Sequence, residues 1–123
     1  MSGSADFEIG SDGAGRRSDV SRKQLARLGR GEFPVEDDLD LHGLEAQPAR
    51  AQLRSFLEEA FAEGLRCVRV IHGRGLHSAE GPVLRARLPE WLSQGPAAGR
   101  VLAWAPEARS RGGATLVLLR RRR

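Results

Sequence analysis

Leu65-Arg66-Cys67-Val68-Arg69-Val70-Ile71, followed at once by His72-Gly73-Arg74-Gly75-Leu76-His77-Ser78, is the stretch whose reading decides the fold. The first seven residues alternate in part and end in an unbroken apolar run, as a central strand does. The next seven break that run with two glycines, and Pro82 then opens a helical pattern carrying Val83, Leu84, Leu88, Trp91 and Leu92. A strand that feeds a helix through a glycine loop marks an α/β unit. Pro89 sits inside that second helix and should kink it or begin a new turn, because it lacks an amide proton and collides with the carbonyl four residues back.

Upstream, Pro48 suits a first helical turn, Ala49, Leu53, Phe56, Leu57 and Ala60 trace one apolar face, and Gly64 supplies the stop. Before that helix, Leu39 and Leu41 with their flanking acids make a short strand that ends at His42-Gly43. Downstream, Gly95 and Pro96 end the second helix, and Val101–Ala105 and Thr115–Leu119 read as two more strands. The order is β-α-β-α-β-β. Such alternation predicts a mostly parallel sheet with helices packed on it. Residues 37–119 hold this pattern. Residues 18–36 read as a short basic amphipathic helix, capped by Ser18 or Ser21 and followed by a polar connector; residues 1–17, rich in Gly, Ser and Asp, read as a disordered tail; and residues 120–123 read as a basic tail.

A chain of 123 residues has room for one domain. No apolar run approaches the roughly 20 residues of a membrane span. The first fifteen residues lack the basic start and apolar stretch of a signal peptide, so a cytoplasmic protein is expected. Cys67, the single cysteine, lies in an apolar strand and reads as a buried structural thiol. Charge is uneven. Residues 1–63 carry eight Lys/Arg against thirteen Asp/Glu, whereas residues 64–123 carry twelve Arg against three Glu. Nineteen of the twenty cations are arginine, whose planar fork binds phosphate bidentately. A phosphate-rich partner fits that distribution; a solvated surface is the plainer alternative.

The residues able to do chemistry gather at two strand ends. In Leu39-Asp40-Leu41-His42-Gly43 the period of two puts Asp40 and His42 on one side of the strand. A carboxylate beside an imidazole fixes its tautomer and raises its basicity, which serves a general base or a metal ligand; a structural cap is the other reading. In the second corner, Gly73 and Gly75 permit positive φ and close approach of an anion, Arg74 offers a phosphate fork, and His72 and His77 can carry protons. All three histidines of the chain lie at these corners. Open sheets bind ligands beyond the carboxyl ends of their parallel strands, which is where both corners fall. Trp104, at the end of a later strand, could stack on a base or pack in the core. The sequence has no Cys-x-x-Cys, no Walker loop and no complete dinucleotide fingerprint.

Leu-Asp-Leu-His-Gly at 39–43, His-Gly-Arg-Gly at 72–75, Trp91-Leu92 and Gly112-Gly113 before a Val-Leu-Leu strand together resemble the stand-alone bacterial proteins of the Smr (small MutS-related) family, over about residues 20–120. The segment after Gly113 is shorter than that family's usual Gly-Gly-x-Gly-Ala. The resemblance implies a small two-layer α/β sandwich similar to the C-terminal domain of bacterial initiation factor three. It also implies endonuclease activity, on RNA at stalled or collided ribosomes or, alternatively, nicking of branched or damaged DNA. A non-catalytic nucleic-acid or ribosome-binding module is a third reading.

In the preferred scheme Asp40 orients His42, and His42 and His72 act as base and acid. Gly73, Arg74, Gly75, His77 and Trp104 would then contact nucleic acid, with no cofactor required. A metal-assisted version would have Asp40 and His42 hold Mg²⁺ or Mn²⁺. A ribosome contact through Ser18–Arg30 is a further expectation.

Overall fold

The structure is a computed structural model, and it describes residues 6–75 and 83–122. Its elements are β1 (Glu8–Ile9), β2 (Gly15–Arg16), α1 (Arg22–Gly29), β3 (Asp37–Asp40), α2 (Ala46–Ala62), β4 (Cys67–Ile71), α3 (Val83–Gln94), β5 (Val101–Pro106) and β6 (Ala114–Leu119). The six strands form one sheet in the order β1-β2-β5-β6-β4-β3. Only β3 and β4 pair in parallel; every other neighbouring pair is antiparallel. The expectation of a mostly parallel sheet is therefore corrected. β3, β4 and β5 do run the same way, as helix crossovers require. The chain then turns back after β5, and β6 inserts between β4 and β5, converting two parallel neighbours into antiparallel ones.

α2 and α3 cover one face of the sheet, giving the α/β sandwich expected. Leu53, Leu57, Leu84, Leu88, Trp91 and Leu92 bury there against Val68, Val70, Val117 and Leu119. α3 continues through Pro89 as a single helix, because the buried residues on either side of the proline fix both halves to the same sheet face. The opposite face carries α1, whose Leu28 packs with Cys67, Ala103, Ala105, Leu116 and Leu118. Ser21 caps α1 through a reciprocal capping box with Gln24. A helix this short is marginal in isolation, and docking on the sheet is what holds it. Cys67 is buried as expected, and burial pushes its thiol up to about 11.

The disordered tail expected over residues 1–17 does not hold for residues 6–17. β1 and β2 form a hairpin whose second strand adds to β5, Phe7 packs against Trp104 with ring centroids 5.1 Å apart, and the Arg17 guanidinium lies 4.3 Å from the Phe7 centroid. Gly15 makes this possible: a Cβ there would stand 2.3 Å from the Trp104 ring, so only glycine lets strand and indole meet. Among the described residues no helix is long and apolar enough to cross a membrane.

Candidate active site

The parallel pairing of β3 and β4 places Asp40 opposite Ile71, and the antiparallel pairing of β4 and β6 places Ile71 opposite Ala114. Three loops therefore emerge at one end of the sheet: Leu41–Gly43, His72–Gly75 and Arg111–Gly113. They are tied together by backbone bonds. The Leu41 amide donates to the Ile71 carbonyl, and the amides of His72 and Gly73 both donate to the Gly113 carbonyl. Gly73 has φ +79°, and a Cβ built on it would lie 3.3 Å from the His42 Cβ. The two corners read from the sequence thus meet, with Gly73 pressed against His42.

At the first corner the Asp40 Oδ1 accepts from both the His42 Nδ1–H, at 2.6 Å, and the His42 backbone amide, at 3.0 Å. A carboxylate only accepts, so Nδ1 carries a proton, and in that tautomer Nε2 presents its lone pair. Both side chains face solvent, 68% exposed for His42 and 53% for Asp40. The His42 hydrogen bonds hold the Asp40 carboxyl below the usual carboxylate range, so it remains the anion that orients the ring. Chemically, an imidazole oriented in this way can serve as a general base.

His72 is different. It is 6% exposed, its Nδ1–H donates to the Gly73 carbonyl at 2.9 Å, and its Nε2 accepts from the Thr115 hydroxyl at 3.0 Å. Both ring nitrogens are engaged, and burial lowers its proton affinity. From the sequence His72 is expected to exchange protons with substrate; in the structure its two ring nitrogens bond the Gly73 carbonyl and Thr115, fastening the glycine loop to β6. The expected anion cradle of loop amides is likewise reduced, since the amides of His72 and Gly73 are spent on Gly113.

Trp104 is also corrected. It is 1% exposed, and its Nε1–H donates to the Gly13 carbonyl at 2.7 Å, so it is a core residue and not a free stacking platform. His77 lies outside the described residues.

Arginines surround this end of the sheet. Arg74 is exposed, and its Cγ lies 3.5 Å from where a Cβ on Gly113 would be. Arg85 of α3 brings Nη1 to 2.7 Å from the corresponding position on Gly112. Arg111 holds φ 53°, the one non-glycine positive φ among the described residues, and Arg109 precedes it in the same turn. Ion pairs among the described residues join Arg16, Arg22, Arg27, Arg30, Arg69, Arg87 and Arg100 to carboxylates; Arg74, Arg85, Arg109 and Arg111 are not in that set. Sequence reasoning found Arg74 because it lies inside the glycine motif. It missed Arg85, Arg111 and Thr115, whose only sequence signal was proximity to Gly112-Gly113 or to a helix start.

Asp40 and His42 make a thin donor set for a resident Mg²⁺ or Mn²⁺: the corner offers one carboxylate, and its Oδ1 is already engaged twice by His42. Among the described residues no three His, Cys, Asp or Glu side chains gather as a metal site.

Known proteins resemble this chain in sequence and in fold. Ribosome rescue factor SmrB of Aeromonas hydrophila is 37% identical over 103 residues, covering 84% of this chain and 55% of that protein. SmrB of Erwinia tasmaniensis is 40% identical over 90 residues, covering 72% and 46%. The chain spans about half the length of the curated relatives it matches. Among solved structures, YdaL, a stand-alone small MutS-related protein from Escherichia coli, superimposes with a TM-score of 0.68 at 29% identity, covering 88% of this chain and 82% of that one. The Smr domain of Thermus thermophilus MutS2 gives 0.57 at 34% identity, covering 68% and 98%. The Smr domain model matches residues 39–120, which hold both strand-end corners and the Gly112-Gly113 turn, and the chain accordingly belongs to the Smr domain family.

Proposed function

We propose that this chain is an RNA endonuclease that cuts mRNA on stalled or collided ribosomes by attack of a ribose 2′-hydroxyl on the adjacent phosphodiester. His42 Nε2 takes the 2′-hydroxyl proton, the freed oxygen bonds to phosphorus, and the 5′-oxygen leaves and takes a proton from water. Asp40 holds His42 in the required tautomer and stabilises the imidazolium that forms. Arg74, with Arg85 and Arg111 nearby, neutralises the charge that builds on the non-bridging oxygens. His72 contributes by fixing the loop that carries Gly73 and Arg74.

The observation that carries this reading is the exposed His42 ring, oriented by Asp40 at 2.6 Å and standing against Gly73, the residue before Arg74. The rescue-factor names of the relatives support the ribosome as the setting. α1 supports it more weakly as a contact: Arg22 pairs with Glu8, and Arg27 and Arg30 share Glu32, so part of its charge is neutralised within the chain.

The test is cleavage of a defined RNA in excess chelator, with analysis of the ends. Products with 5′-hydroxyl and 2′,3′-cyclic phosphate ends are expected, with loss of cutting both in His42→Ala and when the ribose at the scissile position is replaced by deoxyribose. Cutting of the deoxy substrate or of duplex DNA would favour DNA nicking instead. Unchanged ribosome rescue by His42→Ala would leave a binding module.

A further inference from the structure

A cavity of about 240 Å³ opens beside His72, one of its lining residues. Its walls come from three places that the sequence keeps apart: Asp12 in the hairpin turn, Arg85 and Pro89 on α3, and Trp104, Pro106 and Thr115 on the sheet. We infer that this cavity is a base pocket, which holds one unstacked nucleobase of the strand whose phosphodiester lies at His42. The inference rests on the nucleic-acid reading of the site.

Three observations carry it. The volume falls below the roughly 300 Å³ at which clefts for drug-sized ligands begin, which suits a single flat ring system. The lining combines apolar surfaces from Leu88, Pro89 and Pro106 with a carboxylate and a guanidinium, so an aromatic ring with donor and acceptor edges finds both kinds of partner. Asp12 excludes the competing idea of a second phosphate site, because an anion there would meet a carboxylate. That carboxylate is held in place, since its Oδ1 accepts the Ala14 amide at 3.0 Å. The position relative to the chemistry is also suitable: His72 lines the cavity, and the next residue, Gly73, touches His42. Splaying a base out of the stack is how proteins commonly read single-stranded RNA. The hairpin of residues 6–17 thereby has a role beyond packing, since without it the pocket lacks the Asp12 wall.

The experiment compares a short RNA of defined cut site with versions bearing one abasic nucleotide at successive positions, using the full chain and two variants. Ala86→Trp fills the cavity from an exposed position on α3, and Asp12→Asn removes the charge but keeps an oxygen for the Ala14 amide. The pocket predicts that one abasic position beside the cut lowers kcat/KM about tenfold or more, in line with the value of a single base contact. Ala86→Trp should show the same loss on intact RNA and no further loss on the abasic one, and Asp12→Asn should change which base is preferred there. Equal cutting at every abasic position, or wild-type cutting by Ala86→Trp, overturns the pocket and leaves the nuclease standing. If the wild-type protein cuts nothing, the nuclease reading fails, and anisotropy titration decides the pocket separately. Tenfold weaker binding of abasic RNA, abolished as a difference in Ala86→Trp, then supports it; equal affinities overturn it.

Discussion

Replacing Gly73 by alanine should disable His42 through a single methyl group. Two costs apply. The backbone there has φ +79°, a conformation that costs an L-residue about 1–2 kcal/mol. The new Cβ would also stand 3.3 Å from the His42 Cβ, closer than carbon atoms rest, so His42 must give by a few tenths of an ångström. Gly64→Ala separates the two effects. Gly64 has φ +81°, but a Cβ there meets nothing within 4 Å, and it lies at the end of α2, outside the site.

Both variants should therefore melt lower by about 4–8 °C, from about 1–2 kcal/mol of strain at about 4 °C per kcal/mol. Only Gly73→Ala should move the His42 ring resonances in an NMR spectrum and slow RNA cutting, by roughly three- to tenfold given how steeply rate falls with misplacement. Unmoved His42 resonances in Gly73→Ala, or an equal loss of cutting in Gly64→Ala, would refute the contact argument. Measuring resonances as well as cutting keeps the geometry testable apart from the reaction.

Three further outcomes are expected. Phe7→Ala should cost about 3 kcal/mol in a denaturant melt, because the ring packs on Trp104 and under Arg17; no change would mean that the hairpin adds nothing to the fold. His72 should make stability depend on pH. Its folded proton affinity lies below the ordinary value of 6.5, so the unfolded chain binds the proton first. The wild type should then hold its full stability above about pH 6.5 and lose some as pH falls from there toward the folded value. His72→Gln should lack that loss, as denaturant midpoints at pH 7.5 and 5 would show, and parallel slopes would count against it. Arg111→Gly should raise the melting temperature by relieving the strained φ of 53°, yet reduce the slope of log affinity for single-stranded RNA against log salt by about 0.7, one phosphate's share.

The elements of the domain core were legible because periodicity is local. Ala49, Leu53, Leu57 and Ala60 declare one face of α2, and Val68, Val70 and Ile71 declare a strand, before any partner is known. A cap at Ser18 or Ser21 was legible at the start of α1, and the structure chooses Ser21, bonded to its near neighbour Gln24. The two corners were legible for the same reason, since Asp40 and His42 stand two residues apart, and glycines flank Arg74 within one loop.

Contacts across the chain were not legible. Two-residue strands carry no periodicity, so residues 6–17 read as tail until Trp104, some ninety residues on, supplied a ring for Phe7 and a donor for the Gly13 carbonyl. The insertion of β6 between β4 and β5 depends on long-range pairing that no spacing encodes. That insertion also delivered Thr115 to the His72 ring and the Gly113 carbonyl to two loop amides, contacts that the spacing of the histidines did not announce. Local sequence named the residue types that chemistry needs; tertiary pairing decided which of them keep a free valence facing solvent, because a hydrogen bond made inside the fold is no longer available to a substrate.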